Sequence, residues 1–505
     1  MKRGKQLKSM YKISLSSLFA MLILMLVGGQ TASAYSLDRV SGNDRYQTSV
    51  AVSKKGWKSG AKTVILVNGK DLSEAAVAAP LAKHLDAPVL LTNPNALSSA
   101  TRKEIQRLNP KTIILLGGKK NLSDKVIDKT IKAKVKRIGG KDSYETAALV
   151  AKELPASTKA VVAYSGYLHD VLAAAPYAAK NKMPILLTKS DSLPAATKKA
   201  LKGKKSTIVI GRTKAVSEKV KKQLPKPTRI SGSDRYDTSA KIAKLMGTKK
   251  KSYVVTGKNM TDAVSASALA AKNGGVLLFV EKTYVSTPVK VVIDQNKLTQ
   301  FTVIGGTNII DNKVGSELKQ PIEHLLVNKK VAVGKDYKAA KLVEPKVKFA
   351  FSYNDPKRLM DSRAVPNFEA LMKAAWKDNV KLYAQSGYRS YNRQAELYNY
   401  YKRTYGEKYA SRISAKPGTS EHQTGLAMDV TSPSVGYDLV EKFANTKEGK
   451  WVAKNAHKYG FIIRYPKGKE SETGYAYEPW HLRYVGKDAA KEIYSKNITF
   501  EKYVK

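Results

Sequence analysis

Short continuous apolar runs alternate with helix-length segments through residues 35–318. Apolar runs of this length are typical of buried parallel strands that are joined by crossover helices, so the pattern predicts α/β, Rossmann-like units with parallel sheets. The predicted strands are Thr63–Val67, Pro88–Thr92, Ile113–Gly118, Ala160–Ala163, Pro184–Thr188, Thr207–Gly211, Ser252–Val255, Gly275–Phe279 and Thr302–Gly306.

The pattern is one unit that occurs three times. Arg39–Thr48, with the sequence RVSGNDRYQT, recurs as Arg137–Thr146 and as Arg229–Thr238, at offsets of 98 and 92 residues. We therefore predict repeats at 35–133, 134–226 and 227–318, followed by a further domain at 319–505. The aspartate shared by the three copies is expected to cap a helix, because its carboxylate can accept hydrogen bonds from the free N–H groups of the first turn.

The first 34 residues have the three-part layout of a secretory signal peptide. A cationic start is followed by ten apolar residues, Leu18–Val27, and by Ala32-Ser33-Ala34 before Tyr35. We predict cleavage after Ala34 and export of the mature chain. An uncleaved membrane anchor is the alternative, but ten apolar residues are about half of the roughly 20 that a spanning helix needs. We expect no other segment to span a membrane.

Charge and composition limit which partners the chain can bind and which residues can hold a metal. The chain has 90 Lys and Arg against 41 Asp and Glu, a net charge of +49, and residues 35–319 carry about +30 of it. Such a field favours polyanionic partners, and three linked sites would add avidity. Export argues against nucleic acid, so an anionic cell-surface polymer is the expected partner. The chain has no cysteine, so any transition-metal site must use His, Asp or Glu.

The three copies resemble the cell-wall-binding type 2 repeat, which usually occurs as three tandem units in Gram-positive surface proteins. The resemblance covers about residues 35–318. It implies non-covalent anchoring to a secondary wall polymer, with the three units packed around a pseudo-threefold axis. In the middle copy Ser143 replaces the arginine, and Gly211-Arg212 replaces a glycine pair. Unequal contributions from the three units are therefore expected.

Two motifs in the last third of the chain could carry chemistry. Ser420–Asp429, with the sequence SEHQTGLAMD, is followed by Glu478–His481, with the sequence EPWH. Together they supply two imidazoles, one carboxylate ligand and one spare carboxylate. A catalytic zinc uses such a set, because three protein ligands leave the fourth position to water and a nearby carboxylate can act as general base. The predicted ligands are His422, Asp429 and His481, and the predicted base is Glu478.

The local pattern predicts how these motifs are placed. Alternation over Leu426–Val430 predicts a strand, and Gly425 allows the chain to turn back towards His422. His457 lies in a segment with helical spacing and is expected outside the site. The tyrosines at 398, 400, 401 and 405 either line a glycan cleft or form the packed stripe of an amphipathic helix, and the sequence leaves both interpretations open.

The two motifs resemble those of VanY-like D-alanyl-D-alanine carboxypeptidases, zinc peptidases that carry S-x-H-x-x-G-x-A-x-D followed by E-x-W-H. Every fixed position is present here, and the resemblance runs from about Leu325 to Tyr484. It implies an α+β peptidase domain with the ligands and base predicted above. Arg389 matches the arginine that stabilises bound substrate, since a guanidinium suits a carboxylate or a developing oxyanion, although a structural ion pair would also explain it. Ser420 and Gln385 are further substrate-binding candidates.

These features predict a secreted zinc D,D-carboxypeptidase, held on a Gram-positive-type cell wall, that removes the terminal D-alanine from peptidoglycan stem peptides. Zn²⁺ is the expected cofactor, and the expected partners are the stem peptides and an anionic secondary wall polymer. A substrate with D-residues is implied by the resemblance alone. The alternatives are an L,D-carboxypeptidase or an endopeptidase with the same site, and a wall-binding protein without activity.

Overall fold

The computed structural model describes residues 35–127, 131–248, 251–335, 337, 339 and 341–504. The predicted signal peptide, residues 1–34, lies outside the described residues. Leu37–Lys505 form one compact unit. Within these described ranges, no helix combines the length and the apolar character that a membrane crossing requires.

Three four-stranded sheets contain the predicted apolar strands. Their strands are β1 Ser36–Val40, β2 Thr63–Asn68, β3 Val89–Thr92, β4 Thr112–Leu116, β5 Lys134–Ile138, β6 Lys159–Tyr164, β7 Ile185–Thr188, β8 Ser206–Ile210, β9 Pro227–Ile230, β10 Lys251–Thr256, β11 Val276–Val280 and β12 Gln300–Ile304. The strand orders are β3-β2-β4-β5, β7-β6-β8-β9 and β1-β12-β10-β11. Neighbours in the first two sheets, and β12, β10 and β11 in the third, are parallel. The predicted parallel α/β units are confirmed.

Each sheet takes its fourth strand from a neighbouring repeat. β5 of the second repeat pairs with β4 of the first, and β9 of the third repeat pairs with β8 of the second. β1 of the first repeat lies beside β12 of the third, so the exchange closes into a ring. The alanine-rich helices Ala78–His84, Leu168–Lys180 and Thr261–Lys272 contact one another, in agreement with the predicted pseudo-threefold arrangement.

Helices connect the strands of the repeats, and the predicted aspartate caps three of them. Oδ1 of Asp44 accepts a hydrogen bond from the backbone N–H of Gln47 at 2.7 Å, and the equivalent contacts of Asp142 and Asp234 are 2.8 Å long. The capping prediction is confirmed. The helices of the repeats are Arg45–Gly56, Ala78–His84, Ser99–Leu108, Ser143–Lys152, Leu168–Lys180, Ala195–Ala200, Glu218–Lys221, Arg235–Met246, Thr261–Lys272, Thr287–Gln295 and Asn312–Glu317.

An antiparallel sheet carries the motifs of the last third of the chain. Its strands are β15 Tyr383–Ser386, β16 Ala427–Thr431, β17 Phe461–Tyr465 and β18 Glu478–Tyr484, in the order β15-β16-β18-β17. Two shorter strands, β13 Leu342–Val343 and β14 Met360–Asp361, pair separately. The helices are Val365–Lys377, Tyr391–Ile413, Lys447–Asn455, Glu470–Thr473, Lys487–Lys496 and Phe500–Tyr503. The predicted α+β class is confirmed.

The apolar core of this region lies between the sheet and the helix Val365–Lys377. Phe368 and Leu371 on the helix belong to one buried cluster with Met428 of β16 and Leu482 of β18. Because successive strand residues point to opposite faces, burying Met428 and Leu482 on this face turns Asp429 and His481 to the other face. Core packing therefore fixes which side of the sheet can carry a site.

Candidate metal and catalytic site

The register of β16 and β18 brings two of the predicted ligands together. Asp429 pairs directly with His481 across the two strands, so their side chains leave the same face side by side. His422 precedes β16, in the short 3₁₀ helix Glu421–Thr424. Gly425 ends that helix with a φ of +73° and turns the chain into β16, as the sequence analysis predicted. A Cβ at Gly425 would lie 2.9 Å from the backbone nitrogen of Asp361, so the turn requires glycine.

The three predicted ligands converge on one point. His422, Asp429 and His481 each offer a ligand atom within 4.8 Å of the other two, and all three residues are buried. Nε2 of His422 lies 3.4 Å from Oδ2 of Asp429, and Nδ1 of His481 lies 2.9 Å from Oδ1 of the same carboxylate. Apart from His481, that Oδ1 has no hydrogen-bond partner among the described residues. Two imidazoles and one carboxylate with free acceptor atoms fit a Zn²⁺ with an open fourth position.

Neighbouring groups orient His422 for metal binding. Its Nδ1 lies 2.7 Å from the backbone carbonyl oxygen of Gly387, which only an N–H at that position can use as an acceptor. The lone pair is then on Nε2, the nitrogen that faces Asp429. Burial lowers the pKa of His422 to about 3. The imidazole is therefore neutral near neutral pH, as a metal ligand must be.

Glu478, the predicted base, lies beside the three ligands at the start of β18. Its Oε2 is 3.8 Å from Nδ1 of His481. Burial raises the pKa of Glu478 to about 7, with the negative charge of Asp429 adding to the effect and the charge of His481 opposing it. A carboxylate with a pKa near the working pH can both take up and release a proton.

Arg389 lies in the same cleft and is held by neutral groups. Its Nη1 donates to Oε1 of Gln394 at 2.9 Å, and its Nη2 donates to Oγ of Ser386 at 3.2 Å. The negative charges of Asp429 and Glu478 act on Arg389 electrostatically, but its hydrogen bonds in the described part of the chain go to these neutral groups. Burial lowers the pKa of Arg389. An arginine whose hydrogen-bond partners are neutral is suited to an anionic ligand.

The cleft around these groups has a volume of about 450 Å³. One wall comes from the helix Tyr391–Ile413 and the other from β18 and the segment before it. Of the tyrosines considered above, Tyr398 is buried and bonds Ser411, Tyr401 lines the cleft, and Tyr400 and Tyr405 are exposed. The lining residues include Arg389, Tyr401, Ser420, Glu421, His422, Asp429, Tyr465, Glu478, Trp480 and His481.

Gln385 and His457 lie away from the cleft. Gln385 is a neighbour of Ser386 on β15 and is not among the residues that line the cleft. Its Nε2 faces the backbone carbonyl of Tyr437 at 3.5 Å, because adjacent strand residues point to opposite faces. His457 stacks on Tyr494 with ring centroids 3.7 Å apart, outside the site as predicted.

The sequence analysis gave no role to Glu421, although it stands next to His422. Glu421 is buried, lines the cleft and contacts two arginines, Arg464 and Arg483, that are themselves fully buried. Its position inside the dense polar motif was the available signal. Nothing in the sequence indicated that Arg464 and Arg483 are buried, because a charged residue in a strand is normally exposed. Only the fold shows their burial.

Family comparisons agree with this arrangement. The family model "VanY: D-alanyl-D-alanine carboxypeptidase" matches residues 357–487. The model "Cell wall binding domain 2 (CWB2)" matches three times, at residues 39–127, 137–221 and 229–315. The chain belongs to the VanY family of D-alanyl-D-alanine carboxypeptidases and carries three cell-wall-binding repeats of the CWB2 family.

Individual relatives match different parts of the chain. N-acetylmuramoyl-L-alanine amidase LytC of Bacillus subtilis (strain 168) is 37% identical over 293 residues, which are 57% of this chain and 59% of LytC. YodJ of the same organism is 48% identical over 198 residues, which are 39% of this chain and 72% of YodJ. The structure of Cwp8 from Clostridium difficile is 27% identical with a TM-score of 0.52, and the match covers 60% of this chain and 54% of that chain. The chain thus spans less than two thirds of LytC and of Cwp8.

Proposed function

We propose that this protein is an exported zinc D,D-carboxypeptidase that removes the terminal D-alanine from peptidoglycan stem peptides while its repeats hold it on the wall. One observation carries the proposal. His422, Asp429 and His481 offer ligand atoms within 4.8 Å of one another, and Glu478 lies 3.8 Å from the nearest of these imidazoles. Membership in a D-alanyl-D-alanine carboxypeptidase family supports the same bond and substrate class.

The residues of the cleft divide the chemistry between them. A Zn²⁺ held by the three ligands would act as a Lewis acid, lowering the pKa of a water molecule and polarising the scissile carbonyl. Glu478 takes the proton of the attacking water and passes it to the leaving amine, for which its raised pKa is suited. Arg389 donates forked hydrogen bonds to the developing oxyanion. Ser420, which lines the cleft, contacts the substrate.

The test is mass analysis of products from purified muropeptides. We expect the pentapeptide to lose one terminal residue, the loss to stop with a chelator and to resume when zinc is added back. Glu478→Gln should lower kcat by about 100- to 10,000-fold, because the general base is lost. Zinc content, measured by atomic emission, should stay at the wild-type level, because Glu478 is not proposed as a ligand.

Glu441→Gln is the matched control, because Glu441 also lines the cleft but is not proposed to take part in the chemistry. Its kcat should stay within about threefold of wild type, since surface substitutions away from the reacting atoms have small effects. Release of a residue only from tetrapeptides would assign L,D specificity, and cleavage inside the peptide would assign an endopeptidase. Full activity of Glu478→Gln would rule out the proposed mechanism.

The anchoring part of the proposal rests on the repeats. Residues 35–319 carry about +30 of net charge, and three copies of a wall-binding family are present. An anionic wall polymer is the partner that such a charge selects. Three linked sites bind more tightly than one because the second and third encounters are intramolecular.

Binding to purified walls tests the anchoring. We expect the chain to sediment with the walls, to be released by free wall polymer, and to lose affinity steeply as salt rises, because the contacts are screened. Walls stripped of the anionic polymer should bind at least tenfold less. Equal binding to stripped walls would contradict a polyanion partner and would favour recognition of peptidoglycan itself.

A further inference from the structure

A buried carboxylate lies behind the candidate metal centre. Glu421, which is 1% exposed, stands one residue before the predicted ligand His422. Its Oε1 accepts hydrogen bonds from Nε of Arg464 and from Nη1 of Arg483, each at 2.7 Å. Both arginines are 0% exposed. One oxygen of Glu421 is therefore fully used by two charged donors.

The second oxygen of Glu421 faces His481. Oε2 lies 3.5 Å from Nε2 of His481, and neither atom has a hydrogen bond to any other group in the described ranges. The opposite nitrogen of that imidazole, Nδ1, faces Asp429 at 2.9 Å. The ring of His481 thus lies between two carboxylates, with Nδ1 towards the candidate metal and Nε2 towards Glu421.

We propose that Glu421 is a positioning residue for His481. By accepting the Nε2–H of the imidazole, Glu421 keeps the lone pair on Nδ1 and holds the ring with Nδ1 aimed at the metal position. This inference rests on the proposed metal centre. It adds one element to that centre, a carboxylate that acts on the metal only through the histidine.

The surrounding contacts leave Glu421 no other orientation. Arg464 also donates to both oxygens of Glu501, at 2.8 and 2.6 Å. Nη2 of Arg483 donates to the backbone carbonyls of Glu323 and Leu325, at 3.0 and 2.8 Å. Because an arginine has donors only, both guanidinium groups require an acceptor where Oε1 lies. The groups that hold the two arginines lie outside residues 357–487, which match the carboxypeptidase family. They are Glu323 and Leu325, which follow the third repeat, and Glu501 in the last helix.

A purely structural role for Glu421 would be to neutralise the two buried arginines. Glu421→Gln separates the two roles, because the amide oxygen must take the place of Oε1 and the amide N–H groups must then face Nε2 of His481. When Nδ1 of His481 binds a metal, its Nε2 carries a hydrogen, so this N–H and the new amide N–H would face each other as two donors with no acceptor between them. We expect the dissociation constant for zinc to rise about 10- to 100-fold, the usual effect of losing such a partner.

Glu501→Gln is the matched control. It removes the same charge from Arg464 but does not touch His481. In the full chain, zinc affinity is measured by competition with a chromogenic chelator, and thermal unfolding of the metal-free variants reports whether each one folds. We expect zinc affinity to fall in Glu421→Gln and to stay within about threefold of wild type in Glu501→Gln, because surrounding substitutions without contact to a ligand have small effects.

A second measurement does not depend on any variant folding. In the zinc-loaded wild-type chain with ¹⁵N-labelled histidine, the imidazole of His481 should show a metal-bound Nδ1 and an Nε2–H that exchanges slowly with solvent. Equal zinc affinity of Glu421→Gln and wild type, an equal loss in both variants, or metal bound through Nε2 would overturn the inference. A wild-type chain that binds no zinc would instead refute the proposed metal centre itself.

Discussion

The carboxylates of Glu421, Asp429 and Glu478 surround the imidazole of His481. Their different environments shift their pKa values in different directions. Burial opposes ionisation of Asp429 and Glu421, but the positive charges around them lower the pKa of both. For Glu478, burial prevails and raises the pKa to about 7. Groups whose pKa values are pushed apart in this way take different roles. Asp429 and Glu421 remain anionic, whereas Glu478 can exchange a proton.

This difference predicts the pH dependence of the peptidase. Glu478 must be ionised to act as a base, so kcat/KM should rise as the pH rises through the pKa of Glu478 and should fall about tenfold for each pH unit well below it. That pKa is about 7 in the metal-free chain, and the charge of a bound Zn²⁺ would lower it. Initial rates on a defined stem peptide, measured on zinc-loaded enzyme from about pH 5 to pH 9, test this. The residual rate of Glu478→Gln should lack the same acid limb. An acid limb at the same pH in wild type and in Glu478→Gln would show that Glu478 is not the titrating group.

At the scale of elements, the strands differ in how clearly the pattern of apolar residues predicts them. The nine predicted strands of the repeats are largely buried, including β3, β7 and β11 at one edge of each sheet. Each is a mostly apolar run, and the prediction located every one of them to within two residues. β1, β5 and β9 were not predicted. They are edge strands, and β5, for example, has three exposed residues and two lysines in the sequence KVKRI. Charged edge strands protect a sheet from further pairing, and they lose the apolar signal as a result.

In the candidate site, too, some residues could be predicted from the sequence and others could not. The convergence of His422, Asp429 and His481 beside Glu478 could be predicted, because these residues belong to dense local motifs with a clear chemical requirement. Glu421 could not be assigned a role, because its contacts with Arg464, Arg483 and His481 join residues 43 to 62 positions apart. The register of β16 and β18, which creates these contacts, is set by packing and not by any short pattern.

The exchanged strands carry an arginine that links neighbouring repeats. Nη1 of Arg229 donates to the carbonyl of Gly211 at 2.6 Å, and its Nη2 donates to the carbonyl of Val216 at 2.7 Å. Arg39 and Arg137 make the equivalent contact with Gly305 and Gly117 at 2.7 and 2.6 Å. Each contact joins the first strand of one repeat to the end of the last strand of its neighbour.

Arg229→Met should therefore weaken the junction between the second and third repeats. We expect a loss of about 1–3 kcal/mol in the free energy of unfolding, because two carbonyls lose a charged donor. Hydrogen exchange should rise selectively in β8 and β9. The control is Arg393→Met, whose exposed guanidinium pairs with Glu396 of the same helix, far along the chain from this junction. Equal effects of the two substitutions would contradict a junction role for Arg229.

At the scale of the whole molecule, the last repeat is joined to the peptidase region by charge as well as by the chain. Nη1 of Arg363 lies 2.9 Å from Oδ1 of Asp294, on the helix Thr287–Gln295 of the third repeat. Its Nη2 lies 2.7 Å from the fully buried Asp361. Val291 of the same helix packs against an apolar cluster that includes Leu325. An ion pair and apolar packing thus connect the peptidase region to the third repeat.

Asp294→Ala should loosen this connection without altering the chemistry. Arg363 keeps Asp361 as a partner, so the peptidase region stays folded, but its contact with the repeat is lost. We expect trypsin to cut between residues 329 and 341 several times faster, because cleavage follows the population of locally opened states. Hydrolysis of soluble muropeptides should remain at the wild-type rate. Glu344→Gln is the control, since its exposed pair with Arg358 lies within the peptidase region. If both variants are cut at the wild-type rate, apolar packing alone holds the two parts together, and Arg363 contributes nothing to their orientation.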